Sequence, residues 1–231
     1  MRGPLHVSVA CLVLLAASYL WWAAMPHWRP CGLAAPTKYD AKKLQVLYIG
    51  DSVSKGVLSH MNVPSTWHVF HPGSTVTGGC RNTLLADDYL DRWVGNRTWD
   101  FAIFNFGLHD AGFDYERVPV AQYTLGLQRI TASLKLHARQ LMWVSTTPVP
   151  SVPLSPQRAQ CDILRYNAAA EAVMRSAGVP VLDLHGFVLG LCGNETFYEA
   201  CPGVQRHNDV HFTASGYARM AAFVLRQASH V

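Results

Sequence analysis

The chain has 231 residues, half of them hydrophobic and 15% charged, with a formal net charge of +4. That length accommodates one domain of ordinary size plus a short appendage. The apolar content excludes a disordered chain, near-average Gly and Pro exclude low-complexity and collagen-like ones, and the lack of a dense Lys/Arg block excludes a nucleic-acid surface.

The first element is an apolar run over 5–25 with no acidic or basic side chain except His6. It is long for the core of a signal peptide, Trp21 and Trp22 stand where an interfacial aromatic belt would stand, and no good small-x-small cleavage site follows. Residues 1–25 therefore read as a signal anchor, with a cleaved signal peptide as the alternative. Flanking charges do not orient it, since Arg2 on one side faces Arg29, Lys38, Lys42 and Lys43 on the other. Residues 26–43, polar and Pro-interrupted, read as a linker.

Two sequons, at Asn96-Arg97-Thr98 and Asn194-Glu195-Thr196, fit N-glycosylation. Cys192 and Cys201 flank a short Gly/Asn-containing segment that a disulfide could close, whereas Cys31, Cys80 and Cys161 are scattered. With Cys11 inside the apolar run, five cysteines remain, so at least one thiol is free or pairs between chains. Buried reduced cysteines are the competing reading. Together these features place the folded part in the secretory lumen, membrane-anchored, or outside the cell.

After the linker, short apolar runs at 44–49, 101–106, 140–145 and 179–184 read as buried strands. Helical periodicity fills the spaces, at 84–94 with Leu85, Tyr89 and Trp93 four apart, then at 120–138, 162–177 and 214–229. Alternation of this kind predicts βαβ units and a parallel sheet with helices on both faces. In such sheets ligands bind beyond the carboxyl ends of the strands.

The residues with chemistry fall at those ends. Ser52, in Gly50-Asp51-Ser52-Val53-Ser54, follows the first strand on a turn into a helix; the competing role of Asp51 and Ser52 is to cap that helix. Asn105-Phe106-Gly107-Leu108-His109-Asp110 follows the second run. Asn208-Asp209-Val210-His211 precedes the last helix, where a carboxylate close to a histidine can hold Nδ1–H and leave Nε2 to take a serine proton. His68 and His71 resemble a metal pair only superficially, lacking further ligands at suitable spacing, and no C-x-x-C is present, so no metal is expected. Trp67, Phe70 and Phe113 fall in expected loops, with packing their commoner role.

Taken together, Ile49-Gly50-Asp51-Ser52, Phe104-Asn105-Phe106-Gly107-Leu108-His109-Asp110, Thr146-Thr147-Pro148-Val149-Pro150 and Asp209-Val210-His211-Phe212-Thr213-Ala214-Ser215-Gly216-Tyr217 resemble the GDSL/SGNH hydrolase superfamily, in a branch with G-L-H-D in its third block. The resemblance implies a flavodoxin-like three-layer α/β/α sandwich over 44–231, ester hydrolysis, and no metal or organic cofactor. It implies Ser52 as nucleophile, His211 as base and Asp209 as the acid orienting it. The oxyanion would be held by the backbone N–H of Ser52, a second-block amide and a third-block side chain, each worth about 3 kcal/mol.

Three positions depart from the family pattern. His109 stands where Asn is usual and can still donate one hydrogen bond, with Asn105 the weaker candidate. In Gly78-Gly79-Cys80-Arg81 the amide falls on Gly79 by residue type and on Arg81 by register. Asp209 is two residues before His211 rather than three, leaving Asn208 at the usual place as a neutral alternative. The expected substrate is a small-molecule or carbohydrate ester; acyl transfer to a glycan hydroxyl and a weakened glycan-binding relative are the alternatives.

Overall fold

The six residues of β1 (Leu44–Ile49) are buried from the second onward, as a strand covered on both faces must be. The computed structural model describes residues 34–73, 82–113, 117–194 and 198–229; the apolar run at 5–25, Cys31, Gly79, Cys80 and Arg81 lie outside them. Around β1 assemble β2 (Trp67–Phe70), β3 (Trp99–Phe104), β4 (Ala138–Val144) and β5 (Val181–Leu182), all parallel, in the order β2-β1-β3-β4-β5. This is the flavodoxin-like order, whose switch point lies between β1 and β3.

Among the described residues six helices cover the sheet: α1 (Ser52–Ser59), α2 (Thr83–Val94), α3 (Val120–His137), α4 (Gln160–Ala177), α5 (Leu184–Cys192) and α6 (Ala214–Ala228). They form two groups: α2 packs on α3 and α3 on α4, while α1 and α5 pack on α6. Apolar faces explain the grouping, as with Tyr217, Met220, Ala221 and Val224 of α6, all buried. Side-chain caps begin four of the helices, from Asp51, Asn82, Asp183 and Thr213, each worth about 1 kcal/mol. Trp93, Trp99 and Trp143 are fully buried in the core.

The structure corrects the reading of 67–70, which is an edge strand and not a loop. Phe70 stacks on Trp99 at 5.9 Å, and His68 Nδ1 lies 3.0 Å from Gln45 Oε1, both packing roles. The strand expected at 179–184 is only Val181–Leu182, because Asp183 caps α5 and Leu184 begins it. Residues 34–43 of the expected linker run along the domain: the Ala35 N–H donates to Arg92 O, and the Arg97 guanidinium lies 4.1 Å from both the Tyr39 and Trp99 rings. Cys192 and Cys201 are joined in a disulfide, Cys161 is a free exposed thiol, and Asn96 is exposed between α2 and β3. Among the described residues no helix is long and apolar enough to cross a membrane, and no group of His, Cys, Asp and Glu could hold a metal ion.

Candidate active site

Ser52 is the first residue of α1, delivered to the carboxyl edge of the sheet by β1. Asp51 does cap the helix, its Oδ1 accepting from the N–H groups of Val53 at 2.8 Å and Ser54 at 3.3 Å, while its carbonyl accepts from Lys55. Capping and reactivity are thus divided between neighbours. The first-turn amide left without an acceptor in the helix or its cap is that of Ser52 itself, and its hydroxyl is turned elsewhere.

That hydroxyl meets the loop before α6. Ser52 Oγ lies 2.7 Å from His211 Nε2, and His211 Nδ1 lies 2.7 Å from Asp209 Oδ1, which also accepts the His211 backbone N–H at 3.1 Å. A carboxylate binding the amide two residues on is the turn an Asp favours, so the short Asp-x-His spacing suffices to bring carboxylate and imidazole together. Asn208 does not take that place; it sits at the loop's bend with φ of 49°, a left-handed conformation Asn tolerates. Burial acts to raise the Asp209 carboxyl, but both hydrogen bonds from His211, its charge and that of Arg206 outweigh it and hold the pKa below the usual value.

The loop is pinned to itself and to α6. Gln205 bridges Phe212, Arg206 N–H donates to His211 O, and Thr213 N–H donates to Val204 O. Gly216 is required by contact: a Cβ there would stand 2.0 Å from Val204 O. This accounts physically for the Thr213-to-Tyr217 segment beside the histidine.

After β3 the chain turns at Gly107, whose φ is 141° and whose added Cβ would lie 2.4 Å from Thr146 Oγ1. Asn105 is drawn inward, donating from Nδ2 to Val144 O at 2.7 Å. His109 instead lines a cleft of about 180 Å³ together with Ser52, Asp209 and His211. Its far wall is Leu154, Ser155, Pro156 and Arg158, with Arg158 Nε donating to Leu108 O at 2.6 Å. Sequence reasoning missed this wall, since nothing in Leu-Ser-Pro-Gln-Arg marks it as facing a site. Phe113 is exposed near that wall, its N–H donating to Gln157 O and its ring under the Arg117 guanidinium. Gly79 and Arg81 lie outside the described residues.

Two groups behind the site, His71 and Asp110, have hydrogen-bond partners of their own. His71 Nε2 lies 2.9 Å from Ser54 Oγ, but its Nδ1 accepts the Gly73 N–H, and the Ser54 hydroxyl donates to Asp51 O. Neutral His71 therefore donates from Nε2, and burial, aided by Lys55, pushes its pKa down to about 3. Asp110 is fully buried and accepts at Oδ1 from the N–H and hydroxyl of Thr83, tying the His109 turn to α2.

Burial pushes the Asp110 carboxyl up from 3.8 to about 6 against those hydrogen bonds and the charge of His109. Its folded pKa exceeds its unfolded one, so the native state holds the extra proton and stability falls as pH rises from about 4 to 6. The loss should be roughly 3 kcal/mol for a shift of this size. Denaturant unfolding across this window should show that slope in the wild type and its absence in Asp110→Asn.

A parallel sheet in this order, with a serine, histidine and carboxylate in line at its switch point, is the scaffold of a serine hydrolase. The model of the GDSL-like lipase/acylhydrolase family matches residues 48–219, and the chain belongs to that family, whose members act on carboxylic ester bonds. Solved structures agree in fold: a lipase/acylhydrolase from Enterococcus faecalis is 19% identical, with 80% of this chain and 95% of that one covered and a TM-score of 0.63. A GDSL-like lipase from Bacteroides thetaiotaomicron is 14% identical over 84% and 92%, with a TM-score of 0.65. A catalytic mutant of an acetylxylan esterase from Geobacillus stearothermophilus is 14% identical over 82% and 96%, with a TM-score of 0.60. At such identities the likeness is one of fold. No curated protein matches the chain.

Proposed function

We propose that the protein removes acetyl or another short acyl group from a carbohydrate or small alcohol through an acyl-enzyme on Ser52. The observation that carries this is the line from Ser52 Oγ to His211 Nε2 to Asp209, with both contacts at 2.7 Å, at the edge of an open cleft. Ionised Asp209 accepts Nδ1–H, so the neutral ring presents a bare Nε2 to the serine hydroxyl. As Ser52 Oγ bonds to the ester carbonyl carbon, its proton passes to His211, which returns it to the departing alcohol. Water then repeats the sequence on the acyl-enzyme, with His211 again as base.

The negative charge on the carbonyl oxygen is met by the Ser52 N–H and by an imidazole N–H of His109, with Gly79 the second-block candidate. The cleft, at about 180 Å³, is smaller than the roughly 300 Å³ at which pockets for drug-sized ligands begin, favouring a short acyl group. The Cys192–Cys201 disulfide and the exposed Asn96 sequon support folding in the secretory lumen or outside the cell, and the apolar run at 5–25 supports attachment to its membrane.

The test is product analysis with p-nitrophenyl acetate and with O-acetylated sugars, with and without added sugar acceptor. Free acetate in both conditions supports hydrolysis; acetylated acceptor as the main product would make the protein a transferase. In the same assay His109→Ala should lower kcat by about 10²–10³ with little change in KM. An unchanged kcat would remove His109 from the oxyanion site.

A further inference from the structure

The peptide group joining Asp51 to Ser52 carries on its nitrogen the amide proposed to meet the developing oxyanion, and its carbonyl accepts two hydrogen bonds. One, from Lys55 N–H at 3.2 Å, is the first bond of α1. The other comes from the Ser54 hydroxyl and, at 2.7 Å, is the shorter of the two. A peptide is planar, so whatever fixes the carbonyl also fixes the direction of the N–H.

A serine bonding a carbonyl three residues back is a common local habit. The group behind it is not local. His71 directly follows β2, 17 residues along the chain from Ser54, and its Nε2 lies 2.9 Å from Ser54 Oγ. Its Nδ1 accepts from Gly73 N–H at 2.9 Å, so the neutral ring carries its proton on Nε2 and donates it to Ser54, whose own proton is committed to Asp51 O. The donors therefore run one way, from Gly73 N–H to His71, from His71 to Ser54, and from Ser54 to the carbonyl whose peptide carries the Ser52 N–H. A pKa pushed down to about 3, by burial first and Lys55 second, keeps the ring in this form at any working pH. Packing holds the hydroxyl in place: Ser54 is 4% exposed, and a Cβ at Gly50 would stand 2.5 Å from its Oγ.

We propose that His71 and Ser54 are positioning residues for ester cleavage, their chain of hydrogen bonds aiming the Ser52 N–H at the oxyanion and strengthening it as a donor. The inference rests on the reading of the protein as an esterase acting through Ser52. Bonds in such a chain polarise one another, so a carbonyl that accepts from a hydroxyl itself accepting from an imidazole leaves its own N–H a better donor. Neither residue lines the cleft, so both act through the peptide between them and the site.

The experiment uses the full-length protein and the variants Ser54→Ala, His71→Phe, His71→Gln and Ser54→Ala/His71→Phe. Phe keeps a ring but donates nothing, whereas a Gln carboxamide can again donate to Ser54. Each protein is measured for turnover of p-nitrophenyl acetate, for its unfolding midpoint and for inhibition by trifluoroacetone. Ser52 Oγ forms a bond to the ketone carbon, the π pair moves to oxygen and the serine proton passes to His211; no group leaves, so affinity reads the oxyanion contacts. The proposal expects kcat to fall about tenfold in Ser54→Ala and about fivefold in His71→Phe, with KM within about twofold, ketone affinity falling in step with kcat, and His71→Gln regaining most of the loss. The double variant should be no slower than Ser54→Ala, because one break already severs the chain. The proposal is overturned if Ser54→Ala and His71→Phe fold and keep the wild-type kcat, if kcat falls while ketone affinity holds, or if the two losses multiply. Should Ser54→Ala not fold, the two His71 variants decide by the same readings. Absence of ester turnover in the wild type would sink the esterase reading and this inference with it, whereas wild-type turnover with unmoved variants sinks the inference alone.

Discussion

Replacing Ser52 with alanine is expected to lower kcat toward p-nitrophenyl acetate by about 10⁶, to the residual level that oxyanion donors and binding alone provide. The magnitude follows from the geometry. Without Oγ, His211 has no proton to take, and water must attack the ester directly. His211→Ala should cost about as much, and the double variant scarcely more, because serine and imidazole act as one unit. Stability is expected to stay within about 0.5 kcal/mol for Ser52→Ala, since the cap of α1 belongs to Asp51 and alanine suits a helix. A loss of activity that merely followed loss of folding would show as a shifted unfolding midpoint.

The second large effect separates Asp209 from Asn208. Asp209→Asn should lower kcat by about 10⁴, the scale measured when a triad aspartate is made neutral. The new amide can present Nδ2–H to His211 Nδ1, fixing the tautomer whose Nε2 already carries a proton and cannot take another from Ser52. Asn208→Ala should leave kcat within a few-fold and lower stability by about 1 kcal/mol, through strain at its positive φ. The reverse ranking, with Asn208 decisive and Asp209 dispensable, would contradict the arrangement around His211.

Much of this framework is legible in the chain because burial on both faces leaves a plain trace. Residues 44–49 read as a strand because Val46, Leu47, Tyr48 and Ile49 need no alternation, and the strand ends at Gly50 as expected. The helices at 84–94, 120–138, 162–177 and 214–229 lie within two residues of their observed bounds, since each has a periodic apolar face. The run at 101–106 is displaced: the strand is Trp99–Phe104, and Phe106 stays buried beyond the last sheet pairing. Apolar runs report burial, and burial continues past the ladder.

Other elements leave no such trace. Trp67–Phe70 is four residues long, and its histidine reads as a loop or ligand until Gln45 is seen beside it. Helix α5 carries Gly186 and Gly190, which argue against helix locally, while packing against α6 stabilises it. At the site, Ser52 and His211 are legible by their place after the first strand and before the last helix. That Asp209 reaches His211 from a shortened spacing depends on a side chain turning back on its own loop, which spacing alone leaves open between Asp209 and Asn208. Arg158 and Gln205 are illegible altogether: one lines the cleft from the approach to α4, the other is notable only for partners it lacks.

The central claim is that Ser52, activated by His211, is the nucleophile. It is tested most directly by treating the full-length protein with a fluorophosphonate probe and locating the adduct by peptide mass spectrometry. The account predicts one adduct, on the peptide containing Ser52, absent from Ser52→Ala and strongly slowed in His211→Ala. Labelling that persists in Ser52→Ala, or that maps to another serine, would contradict it.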